Sequence, residues 1–128
     1  MIPRYRAWDK EFKEMVQVDA LVFEEQIIKV TYKNGNVVKE DLKNYVLMQS
    51  TGLKDKNGKE IFEGDIIGTK DGLLNGVVEF NIDLGMWTNS LVRYNNFERL
   101  CNVASSRKII GNIWEDGELL AVENTEEN

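Results

Sequence analysis

Glu63-Gly64-Asp65, at the mouth of the apolar run Ile66-Ile67, is the grouping best placed for chemistry. Two carboxylates flanking a glycine could hold a hard cation or work as general acid and base. The same residues also suit a turn, with Gly64 at positive φ and Asp65 accepting backbone N–H groups. No further carboxylate lies nearby at ligand spacing. The expectation is therefore structural: no catalytic residue, no metal and no cofactor. Arg6 and Trp8 form a second grouping, since alternate residues of a strand share a face. An exposed aromatic beside a guanidinium could stack a base or a peptide side chain, whereas large aromatics more often anchor a core. Lys54, Lys56 and Lys59 crowd the Asn57-Gly58 loop and could touch phosphates, with Asp55 and Glu60 offsetting much of their charge. Arg6, Trp8, Lys54, Lys56 and Lys59 are thus the candidate interaction surface. Gly52, Asp55, Gly58, Gly64, Asp65, Gly111 and Asn112 are assigned to turns, with Gly111-Asn112 suggesting a β-bulge inside an apolar run. Cys101 falls on an apolar helical stripe, which predicts a buried, inert thiol. Trp114 is expected to close a core.

Composition narrows the chemistry further. The 128 residues include no histidine and one cysteine. That removes the usual base near neutral pH, the Ser-His and Cys-His pairs, and most zinc and iron sites. A lone cysteine forms no internal disulfide, which suits a reducing cytoplasm. No apolar run approaches the roughly 20 residues of a membrane helix, and Met1–Arg6 has no signal-peptide character. The net charge of −6 is local: Glu115 to Asn128 holds six acidic residues and no basic one, leaving sixteen of each sign before it. No like-charged field of the kind that steers nucleic acid is visible along the chain.

Mostly short strands are left to position these residues. Asn34-Gly35, between Gln26–Tyr32 and Asn36–Val38, predicts a two-residue type I′ hairpin. Val38, Leu42, Tyr45 and Val46 also fit a helical stripe, so a helix over 40–47 competes with that hairpin. Val78-Glu79-Phe80-Asn81-Ile82 alternates as a half-buried strand does, and Met86–Val92 returns after Gly85. Asp65–Thr69 and Lys108–Trp114 are further β-branched runs. Short strands separated by Gly-bearing turns favour a small barrel or rolled sheet. Phe97, Leu100, Cys101 and Ala104, at i, i+3, i+4 and i+7, predict one short helix near 96–104 capped by Asn95 or Asn96. The fold class is mainly β, with an N-terminal β lobe over 1–50, a barrel over 51–120, and an acidic, frayed tail over 121–128.

Three segments occur in a telling order: Tyr5-Arg6-Ala7-Trp8-Asp9, then Leu47-Met48-Gln49-Ser50-Thr51-Gly52-Leu53-Lys54-Asp55-Lys56-Asn57-Gly58-Lys59-Glu60-Ile61-Phe62-Glu63-Gly64-Asp65-Ile66-Ile67, then Ile109-Ile110-Gly111-Asn112-Ile113-Trp114-Glu115. In that order the chain resembles the YopX family, small proteins of phages and prophages, chiefly of Gram-positive bacteria. Residues 14–45 and 70–105 do not carry the likeness. The resemblance implies an SH3-type small barrel in the C-terminal part and a setting in the bacterial cytoplasm. It supplies no catalytic residue to carry over.

Together these readings favour a non-enzymatic phage accessory protein that associates with itself or with another phage or host protein, without a membrane. A nucleic-acid-binding accessory protein is the alternative, supported by analogy between small barrels. A carboxylate-dependent hydrolase comes third, since it needs several acids converging in one pocket.

Overall fold

A computed structural model of the protein describes residues 4–121. The fold is mostly β, built of antiparallel strands with one short α-helix. The chain divides into two compact units, 1–50 and 51–128. The acidic tail expected over 121–128 lies, beyond Ala121, outside the described residues.

In the first unit the strands are β1 (Tyr5–Asp9), β2 (Glu14–Val22), β3 (Ile27–Thr31), β4 (Val37–Asp41) and the first part of β5 (Tyr45–Lys54). They line up as β4-β3-β2-β1-β5. Alternation sends Ala7, Val16, Ile28, Val30 and Tyr45 into one buried cluster, as period-2 patterning requires. A single 3-10 turn at Leu42–Asn44 carries the chain from β4 to β5. The helix weighed for 40–47 is therefore absent. Val38 and Leu42 still pack on the cluster, but from a strand and a turn.

The Asn34-Gly35 turn is real, though not of the expected type. Gly35 has φ +92° and Asn34 has no positive φ, so a type I′ turn, which needs two, is ruled out. The Gly35 N–H donates to the Tyr32 carbonyl (2.9 Å) and the Tyr32 N–H to the Asn36 carbonyl (2.8 Å). This is a type I turn closed by a glycine bulge, one residue longer than a type I′ turn. Asn57-Gly58 repeats the pattern: Gly58, at φ +81°, donates to the Asp55 carbonyl, and Asp55 donates to that of Lys59.

In the second unit β6 (Glu60–Phe62) lies beside β5. The remaining strands are β7 (Asp65–Gly68), β8 (Gly76–Asn81), β9 (Met86–Leu91), β10 (Phe97–Arg99) and β11 (Lys108–Asn112). Their order is β10-β9-β8-β7-β11. Ile61, Ile67, Val78, Leu100 and Ala104 form the core, with Leu53, Trp87 and Ile109 against it. The helix α1 covers only Leu100–Val103, followed by a 3-10 turn at Ala104–Ser106. Phe97 belongs to β10, and Arg99 stands at the N-cap with no side-chain cap. The buried face is consequently Leu100 with Ala104, and Cys101 is exposed. Trp114 is 38 % exposed rather than closing a core.

The strands β1–β5 and β7–β11 share one order. In each set the first strand neighbours the last, a meander runs outward from the first, and a helical turn precedes the last.

Candidate functional site

The side chains of Asp65, Asn112 and Asp55, singled out in the sequence, are committed to backbone. Gly64 has φ +87°, and Asp65, 2 % exposed, accepts the Phe62 N–H at 2.7 Å. Gly64 itself donates to the Val78 carbonyl and accepts from the Ile113 N–H. Among the described residues, no group of three or more His, Cys, Asp or Glu is placed to hold a metal ion. The Asn112 side chain accepts the N–H groups of Trp114 and Glu115, at 3.0 and 2.9 Å. The register of β7 against β11 slips between Ile109 and Gly111. A Cβ on Gly111 would lie 2.5 Å from an Asp116 carboxylate oxygen. Gly52 sits in β5 at φ +79°.

Asp55 does more than shape its own loop. One carboxylate oxygen accepts the N–H groups of Asn57 (2.9 Å) and Lys59 (2.8 Å), and the other accepts that of Ile109 in β11 (3.0 Å). Burial disfavours its charge, but the three N–H donors and the Lys59 ammonium prevail and hold the carboxyl below its ordinary value. The Lys56 N–H also donates to the Arg107 carbonyl. The loop carrying Lys54, Lys56 and Lys59 is thereby tied to the start of β11, where Lys108 follows; all four lysines are exposed. The other half of the expected interaction surface is less open: Arg6 is half-buried, and Trp8, only 7 % exposed, offers no stacking platform.

A cleft of about 510 Å³ opens on the first unit. It is lined by Phe12 from the β1–β2 turn, Glu14 of β2, Tyr32, Asn34 and Asn36 of the β3–β4 loop, and Val38 and Glu40 of β4. Behind it runs a chain of hydroxyls and carboxylates. The Tyr32 hydroxyl donates to Asp9 at 2.5 Å and lies 2.8 Å from the Tyr45 hydroxyl, which donates to Glu40 at 2.7 Å. Three contacts compete for two hydroxyl hydrogens. Burial, then the hydrogen bond to Asp9, pushes the Tyr32 hydroxyl up to about 12. Burial and the bonds to Tyr32 and Glu40 raise that of Tyr45 as well. Both phenols therefore stay protonated as donors across the physiological range. Asp9, 2 % exposed, also accepts the N–H groups of Glu11 and Phe12.

Neither this chain nor the partly buried Glu98–Arg107 pair of the second unit was singled out from sequence. Arg107 bonds Glu98 on one side while the Asn89 amide donates to Glu98 on the other, at 3.0 Å. The Ile28-Val30-Tyr32 alternation is the one local signal that could have put Tyr32 on the inward face, and nothing in the linear order names its partners 13 and 23 residues away.

Comparison with known proteins agrees with this architecture. No curated protein matches the chain. The crystal structure of protein EF1440 from Enterococcus faecalis is similar at a TM-score of 0.62 and 32 % identity, covering 94 % of this chain and 99 % of that one. The family of the YopX protein matches over residues 4–121, a span that covers all the described residues. The chain belongs to the YopX family.

Proposed function

We propose that this protein is a non-enzymatic phage or prophage accessory protein that works in the bacterial cytoplasm as a self-assembly module. One observation carries the reading. At the tip of the β8–β9 hairpin, Ile82 is 83 % exposed, with Phe80 and Leu84 each at 45 %. Phe80 is held by an edge-on contact with Trp87, ring centroids 5.2 Å apart. A rigid apolar tip presented to water favours burial against a second surface. Light scattering coupled to size exclusion tests this in the presence of reductant. The mass rises with concentration toward a multiple of the monomer, and Ile82→Asp returns it to one chain. A strict monomer at high micromolar concentration overturns the proposal.

Nucleic-acid binding is the second reading, favoured by the placement of Lys108 beside the loop bearing Lys54, Lys56 and Lys59. It predicts binding that weakens steeply with salt. Absence of a gel shift at low salt, with single- and double-stranded probes alike, ends it.

A further inference from the structure

We infer that the cleft of the first unit is a receptor for an arginine side chain presented by a partner protein. It is a site apart from the β8–β9 hairpin and stands whether or not the chain self-associates. Charge is the first argument. Two carboxylates, Glu14 and Glu40, line the cleft, and no lysine or arginine does so among the described residues. Their hydrogen bonds come from neutral donors, the Lys33 backbone N–H to Glu14 and the Tyr45 hydroxyl to Glu40. Asp9, buried just behind, is likewise held by the N–H groups of Glu11 and Phe12 and by the Tyr32 hydroxyl. Two carboxylates thus line one concavity, with a third bonded to Tyr32 behind its wall, and a cation is their complement.

Shape and hydrogen bonding select the kind of cation. Phe12, 69 % exposed, presents a ring at the wall, and Tyr32 adds a second. A guanidinium lies flat on aromatic faces while its edge donates to carboxylates. It carries five donors and no acceptor, matching a wall whose charged groups are acceptors. An ammonium is more strongly hydrated and has no planar face to stack. The cleft, at about 510 Å³, is open and roomy enough for the whole side chain of an extended peptide.

The test is a titration of the full chain, labelled for amide NMR, with a short capped peptide holding one arginine. Parallel titrations use lysine and citrulline in its place, citrulline being the neutral isostere. The arginine peptide produces saturable shifts confined to residues 11–14 and 32–40, with millimolar affinity typical of one side chain. Lysine binds at least about threefold more weakly and citrulline does not saturate. Glu14→Gln and Glu40→Gln each weaken arginine binding by about fivefold or more. The glutamine oxygen still accepts the Lys33 N–H or the Tyr45 hydroxyl, so the fold survives, as the amide spectrum reports directly. Phe12→Ala, at an exposed position, tests the ring without touching that network. Equal binding of citrulline, shifts scattered over both units, no saturation, or indifference to both glutamine variants overturns the inference.

Discussion

Replacing Asp55 with alanine lowers the free energy of unfolding by about 3–5 kcal/mol, measured by urea denaturation. The residue is 5 % exposed, and its carboxylate accepts three backbone N–H groups from two separate stretches of chain. Hydrogen bonds to a charged acceptor are the stronger kind, and alanine leaves all three donors without one. Asp55→Asn keeps a single acceptor oxygen, and the expected loss is about half as large. The pH dependence has a fixed sign. The folded carboxyl ionises below the ordinary value of 3.8. Its contribution is complete above that unfolded value and is lost as pH falls through the lower folded one. The gap in stability between the natural protein and Asp55→Asn is thus widest near neutrality and closes in acid. A constant gap across that range refutes the account.

Arg107→Ala has an effect of similar size, about 3–5 kcal/mol, because it strands a carboxylate inside the second unit. The side chains of Arg107 and Glu98 are 8 % and 20 % exposed, so solvent screens the pair weakly. Glu98 additionally holds the amide of Asn89, which is fully buried. The loss comes from leaving one charge alone, and removing both charges tests that. Arg107→Met combined with Glu98→Gln keeps an acceptor for Asn89 and removes the pair. It recovers at least half of what Arg107→Ala loses. A double variant as unstable as Arg107→Ala alone shows that the lost ion pair itself, not an abandoned charge, carries the stability.

The extent to which the fold was legible follows from the range of each signal. Period-2 alternation is local, and it located β8 and β9 to within two residues at each end. Glycine punctuation is local too, and both Asn-Gly turns lie where it placed them. The type of the Asn34-Gly35 turn was misjudged because a single positive φ at glycine also satisfies a longer turn, and strand spacing decides between the two. Phe97 shows the limit of the helical stripe. Its i, i+3, i+4, i+7 spacing was genuine, but pairing with Ser90 of β9 captured the segment as a strand, leaving Cys101 to turn outward. The strand order that β1–β5 share with β7–β11 left no trace in the sequence, because topology depends on pairing, while the side chains at equivalent turns differ in number and kind. The cleft was hidden for a related reason. Asp9, Tyr32, Tyr45 and Glu40 are ordinary strand-end residues until curvature of the sheet brings their oxygens together.

The outward position of Cys101 has a practical corollary. A lone accessible thiol, its sulfur 3.6 Å from the Asn102 side-chain oxygen next in sequence, oxidises in air to a covalent link between two chains. Such a product weighs twice the monomer, ignores dilution and disappears with thiol reagents. The same atom is a natural attachment point for a single fluorescent or spin label.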